Sequence, residues 1–298
     1  MTRSVVLFFF LLGFAFAASG HDPPAIYRTV AEVRITFFAT DENNRPIESV
    51  TGNDFAIVDD DSVVREFRSL THSSETALDI TILLDASESV SPRFQSSLNE
   101  ILRLISQKEV ASEDRLSVLS FAGLRSAVLC DHGCHSAVAD RKLVTMKAEG
   151  ATPLFDALTF TANFISSRRV AGVRPVVILF SDGVDTISKV APHDALHSVV
   201  ASGALLYAID TNLPGMASRG SVLLQRMAEA TGGRYFSTRE GSSDVLQAAL
   251  ADLRSSYVVT YRAPRPRVGF HSLRILPKRN LNLRFHCRSG YYYGESVP

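Results

Sequence analysis

The sequence predicts an α/β fold, a doubly wound and mainly parallel sheet with a small flanking β unit, on three observations. Between about residues 77 and 255, short apolar runs alternate with segments of helical periodicity, the pattern that builds parallel sheets from βαβ units. The run at 175–180 (PVVILF) is apolar without interruption, as a strand covered on both faces must be. Before and after that region the chain alternates apolar and polar residues and is punctuated by Pro, Asp and Asn, which is antiparallel β chemistry.

Residues 1–17 stand apart. Arg3 precedes the apolar stretch 5–14, and Ala15, Phe16 and Ala17 match an A-x-A cleavage pattern, so a secretory signal peptide is expected. The stretch is well short of the roughly twenty residues that a bilayer span takes. No cysteine follows it, and no later segment is long and apolar enough to cross. The expected product is soluble and secreted or periplasmic.

Residues 27–75 read as an N-terminal β segment. Val33, Ile35 and Phe37 alternate with polar or small positions, and residues 41–46 (DENNRP) supply turn chemistry. Residues 54–58 read as a strand, 59–62 as a turn and 63–67 as its partner. The acidic triple Asp59, Asp60 and Asp61 reads as a hairpin turn facing solvent in preference to a calcium site.

The region 77–255 then supplies strands at 78–84, 115–121, 175–180, 205–209 and 234–236, with a short edge strand at 127–130. Helices are expected at 94–105, 135–147, 154–165, 192–201, 222–230 and 244–253, from apolar residues at helical spacing. Pro153 suits the first turn of one helix and Gly232-Gly233 ends another. Residues 256–298 return to β, with strand-like segments at 257–261, 272–276, 281–285 and 291–293. Each terminal β segment alone is too small to bury a good core, so the two are expected to pack together. Arg262, Arg265, Arg267, Arg274, Lys278, Arg279, Arg284 and Arg288 make the C-terminal stretch basic, and the arginines are read as the solvated faces of hairpins, alternating with apolar inward residues.

Thirty-one basic and 31 acidic residues balance in the 298-residue chain, which gives no argument for nucleic acid or an anionic membrane. Cys130, Cys134 and Cys287 are an odd set, and in an exported protein the close pair Cys130 and Cys134 is the preferred disulfide. Zinc at those two with His132 and His135 is disfavoured, because the spacing matches no familiar ligand set.

The functional signal is the run Asp85-Ala86-Ser87-Glu88-Ser89 at the end of the strand 78–84 (LDITILL). It places one carboxylate and two hydroxyls at alternate positions on a loop leaving a buried strand. Such a set is poor for catalysis but suits a hard divalent cation. In an open α/β sheet the ligand site lies beyond the carboxyl ends of the strands, where strand order reverses. Two further loops reach that edge. One carries Thr152 between Gly150 and Pro153, and the other carries Asp182 directly after the strand 175–180. Together Asp85, Ser87, Ser89, Thr152 and Asp182 offer an oxygen-only shell that suits Mg²⁺; Mn²⁺ would also be accepted, and Ca²⁺ more weakly.

In this pattern the chain resembles a von Willebrand factor type A domain with a metal-ion-dependent adhesion site, whose motif is D-x-S-x-S, then Thr, then Asp, from three loops. The resemblance covers about residues 77–255. Around it, Asn53-Asp54-Phe55, Asp60-Asp61, the run 230–236 (ATGGRYF) and the end 289–293 (SGYYY) are similar to exported proteins of the VWFA-related Acidobacterial family. The resemblance implies recognition: a carboxylate of a partner protein completes the metal shell. The family usually has Gly before the last serine, where this chain has Glu88, which bears on how ligand is held. No G-x-S-x-G or phosphate-loop motif is present, and no nucleophile stands beside a base, so enzymatic activity is not expected. The alternatives are a scaffold that works without metal and a binder of anionic polymer through the basic C-terminal segment.

Overall fold

The computed structural model describes residues 32–43, 45–107, 113–132, 134, 137–213, 218–237 and 245–294; the apolar N-terminal stretch and its cleavage pattern lie outside them. Four strands come first: β1 (Glu32–Thr40), β2 (Phe55–Asp59), β3 (Ser62–Val63) and β4 (Phe67–His72). The α/β region opens with β5 (Leu78–Asp85), α1 (Ser91–Gln107), β6 (Arg115–Ala122), β7 (Arg125–Asp131), α2 (Ala137–Val144) and α3 (Leu154–Ser166). It continues with β8 (Arg174–Ser181), α4 (Pro192–Ser202), β9 (Leu205–Asp210), α5 (Arg219–Thr231), β10 (Tyr235–Ser237) and α6 (Val245–Arg254). Four strands follow: β11 (Tyr257–Arg262), β12 (Gly269–Pro277), β13 (Arg284–Cys287) and β14 (Gly290–Tyr293).

The central sheet has the order β10-β9-β8-β5-β6-β7, parallel except for β7, which pairs antiparallel at one edge. Every residue of β5 is buried, because both sheet faces are covered. Ile80, Ile82 and Leu84 pack on one face with Phe94, Leu98 and Ile101 of α1 and Leu246 and Leu253 of α6. Leu83, Val177 and Leu179 pack on the other with Leu154 and Leu158 of α3, Val199 of α4 and Leu224 of α5. The strand alternation thus feeds two cores, which is the doubly wound arrangement. After β5 the chain adds β6 on one side, then β8, β9 and β10 on the other. The order therefore reverses around β5, and a crevice opens at its carboxyl end.

The terminal segments interlock. β1 lies between β11 and β13, and β4 pairs with the far side of β11. β12 lies between β2 and β14, with β3 completing that sheet. Two four-stranded antiparallel sheets result, sharing a core that includes Ile35, Phe37, Phe55, Ile57, Val259, Tyr261 and Leu273.

Some expectations change. The strand expected at 281–285 begins only at Arg284, because the Asn280 side chain accepts from the Asn282 N–H (3.1 Å) and makes a turn there. The acidic hairpin turn exists, with Asp60 and Asp61 at positive φ, but Asp59 is only 2 % exposed and points inward. Arg274 and Arg284 are exposed as expected, whereas Arg288 is buried. Cys130 and Cys134 form a disulfide, which removes both thiolates from any zinc site, and burial pushes the Cys287 thiol up to about 11.

Candidate metal centre

Asp85 ends β5 in the crevice and is 1 % exposed. Its Oδ1 accepts from the Ser87 backbone N–H (3.0 Å) and hydroxyl (2.6 Å), and its Oδ2 from the Ser181 hydroxyl (2.7 Å). Burial pushes the Asp85 carboxyl up to about 6; the bonds from Ser87 and Ser181 pull it back, and the charge of Asp182 raises it. With its proton spent on Asp85, the Ser87 hydroxyl has lone pairs left to accept. The Ser89 hydroxyl stands 3.1 Å from it. Adjacent oxygens of an octahedral Mg²⁺ shell, at 2.0–2.1 Å from the ion, lie roughly 2.9 Å apart, so this spacing fits one edge of such a shell.

Backbone bonds join the three loops. Ala86 donates to Phe121 O (2.9 Å), Glu149 to Ala86 O (2.9 Å) and Glu88 to Gly150 O (2.9 Å). Glu88 is itself exposed. Thr152, 2 % exposed, donates its N–H to Thr186 Oγ1 (2.8 Å), and its carbonyl accepts from the Thr186 N–H (2.9 Å). That ties the Thr152 loop to the loop after β8. The same loop caps α3: Ser188 Oγ accepts from the N–H groups of Phe155 (3.0 Å) and Asp156 (3.1 Å).

Asp182 is 6 % exposed, and its Oδ1 accepts from the Val184 N–H (2.9 Å). Among the described residues, neither its second carboxylate oxygen nor the Thr152 hydroxyl makes a hydrogen bond. The Asp182 carbonyl accepts from Asn212 Nδ2 (2.8 Å), which also reaches Asp210 Oδ1 (2.8 Å). Gly183 and Gly220 let the loop press on the start of α5. A Cβ on Gly220 would sit 2.1 Å from Asp182 O, and one on Gly183 2.4 Å from Gly220 O.

The five residues singled out from sequence thus sit on three mutually bonded loops at the carboxyl edge of the sheet. Ser181, Asn212 and Gly220 support them and carried no sequence signal. Ser181 reads simply as the end of a strand, and nothing local says which backbone Gly220 meets.

A second group, Asp59, Asp60 and His271, brings carboxylate and imidazole atoms within 4.8 Å of one another. Most of its polar atoms have partners within the chain. Asp59 Oδ2 accepts from the Tyr261 and Tyr291 hydroxyls (both 2.8 Å), and Asp60 Oδ2 from Arg267 (2.9 Å). His271 Nε2 lies 2.8 Å from Arg267 O and its Nδ1 3.0 Å from Asp60. These residues fasten the strands of the β unit to one another.

Residues 80–184 match the family model described as von Willebrand factor type A domain. The magnesium-chelatase 67 kDa subunit of Chlorobaculum parvum is 24% identical over 211 residues, which is 64% of this chain and 33% of that one. The chain therefore spans about a third of the length of that curated relative. Among solved structures, an aerotolerance-related membrane protein from Bacteroides fragilis is 18% identical with a TM-score of 0.47, covering 59% of this chain and 98% of the other. Proximal thread matrix protein 1 from the mussel byssus, solved with a zinc-occupied MIDAS motif, is 20% identical with a TM-score of 0.47, covering 65% and 49%.

Proposed function

We propose that the von Willebrand factor type A domain of this chain holds a divalent cation, Mg²⁺ foremost, at Asp85, Ser87, Ser89, Thr152 and Asp182, and through it a carboxylate of a partner protein. The observation that carries this reading is the state of the donors. Two carboxylates and three hydroxyls come from three bonded loops, and the Asp182 oxygen and Thr152 hydroxyl are left without hydrogen bonds among the described residues. An all-oxygen set with two acids suits a hard cation and leaves it residual positive charge. The loops hold the donors in place, and the cation supplies attraction for an incoming acid. No nucleophile with a neighbouring base is needed, so the reading is recognition and not turnover. The N-terminal cleavage pattern supports an extracytoplasmic setting for this activity; among the described residues no helix is long and apolar enough to cross a membrane.

Thermal unfolding with and without metal tests the first half. Mg²⁺ or Mn²⁺ at a hundred times its Kd is expected to stabilise the protein by about 2.7 kcal/mol. Asp182→Asn is expected to abolish that shift. An unchanged melting temperature in the parent chain would remove the metal from the account. Capture of host proteins with Mg²⁺ and with EDTA tests the second half: a partner retained equally in EDTA contradicts it.

A further inference from the structure

The opposite edge of the sheet carries a second feature. A cleft of about 590 Å³ lies among the start of β1, the turn before β8, the end of α4 and β14, and Arg34, Arg169, Arg174 and Arg288 all line it. Arg174 and Arg288 are 4 % and 8 % exposed, yet their hydrogen bonds go to neutral oxygens. Arg174 donates to Ser256 Oγ (2.8 Å), Ser73 Oγ and Leu253 O (3.3 Å), and Arg288 to Gly203 O (3.0 Å). Arg34 donates to Gly172 O (3.3 Å) and Arg169 to Ser202 O. The buried Nε–H groups of Arg174 and Arg288 have no hydrogen-bond partner among the described residues. Glu32 also lines the cleft, but it is paired with Arg68 (3.6 Å). No ion pair joins any of the four arginines to a carboxylate among the described residues; the charge of Asp114 acts on Arg174 only beyond ion-pair distance, and Asp114 is itself paired with Arg254.

Capping explains part of this. Ser202 and Gly203 close α4, and cations are favoured at a helix carboxyl end. That end carries only about half a negative charge. It does not reach Arg174, and it leaves the two unpartnered Nε–H groups unexplained; Arg34 and Arg169 are exposed, so the uncompensated burial is that of Arg174 and Arg288. Buried cations without a counter-charge are costly, and a bound anion removes the cost. Guanidinium forks match the paired oxygens of carboxylates and phosphates, and the volume is that of a small-molecule site.

We propose that this cleft binds a small ligand carrying two or more negative charges on phosphate or carboxylate oxygens. It is separate from the metal centre. Arg174 opens β8 and Ser181 closes it, so the two sites lie roughly 23 Å apart at about 3.3 Å per residue.

The test is calorimetric titration of the full chain, without divalent cations and at physiological salt, with pyrophosphate and separately with citrate. Saturable one-site binding of either is expected. Preference for pyrophosphate assigns a phosphate ligand, and preference for citrate a carboxylate. Arg34→Gln and Arg169→Gln are each expected to weaken binding about ten-fold or more, the effect of losing a charged hydrogen bond. Arg34→Lys and Arg169→Lys, which keep the charge and lose the fork, should lie between these and the parent chain. Arg274→Gln, an exposed arginine on β12, should bind as the parent does. No saturable binding of either anion by the parent chain overturns the proposal. So does a loss in the Arg34 and Arg169 variants no larger than that in Arg274→Gln.

Discussion

Burial pushes the Asp85 carboxyl up to about 6, and the sign of this shift has a consequence for stability. The folded protein binds that proton more tightly than the unfolded chain, whose carboxylates titrate near 3.9. The stabilisation is therefore fully present below about pH 4 and is lost as pH rises through about 6. At pH 7 the metal-free protein carries an ionised, buried Asp85 at a cost of about 3 kcal/mol. Asp85→Asn should remove this cost. In urea unfolding without metal, the variant is expected to gain on the parent between pH 4.5 and pH 7, while losing all stabilisation by Mg²⁺. A parent and variant with parallel pH profiles would refute the electrostatic account. Asp85 itself was legible in the sequence because it ends an apolar run. Ser181, which donates to it, was not, because a serine at a strand end has no periodic or motif signature.

At the scale of elements, the site depends on a glycine contact. The loop after β8 carries Asp182 and also caps α3, and it presses backbone to backbone on the first turn of α5 at Gly183 and Gly220. Gly220→Ala puts a methyl group where the Asp182 carbonyl stands, so the loop must move. Overpacking of this kind costs about 1–3 kcal/mol, and here the displaced segment bears a proposed ligand. The expected result is a lowered melting temperature together with a smaller Mg²⁺-induced shift. A variant that melts lower but keeps the full shift would place Asp182 outside the metal shell. The strands and helices of the α/β region were legible from periodicity, since each buried face repeats locally. The contact of Gly183 with Gly220 was not, because it joins residues distant in sequence that have no side chains. The burial of Arg174 and Arg288 escaped for a similar reason: charge pattern alone places arginines in solvent, and only tertiary packing showed otherwise.

For the whole molecule, the chain ends decide how the α/β region is held. β1 to β4 and β11 to β14 exchange strands in both sheets, so the β unit forms only when segments about two hundred residues apart meet. Within it the buried Asp59 takes hydroxyl bonds from Tyr261 on β11 and Tyr291 on β14. Burial is the first cause that pushes both phenols well above their ordinary values, and the nearby Asp59 charge adds to it. Both therefore stay neutral donors at physiological pH. The β unit is also stitched to the α/β region, by Arg174 to Ser256, Arg288 to Gly203 O and His286 Nε2 beside Gly233 O (3.0 Å). A defect at Asp59 should then be felt throughout. Tyr291→Phe leaves the buried carboxylate one donor short, and losing a hydrogen bond to a charged group costs about 1.5–3 kcal/mol. Because the two parts share bonds, the loss should appear as a lower midpoint of one cooperative transition, followed alike by far-ultraviolet and tyrosine signals. Two separated transitions, with only one shifted, would show that the β unit and the α/β region unfold independently.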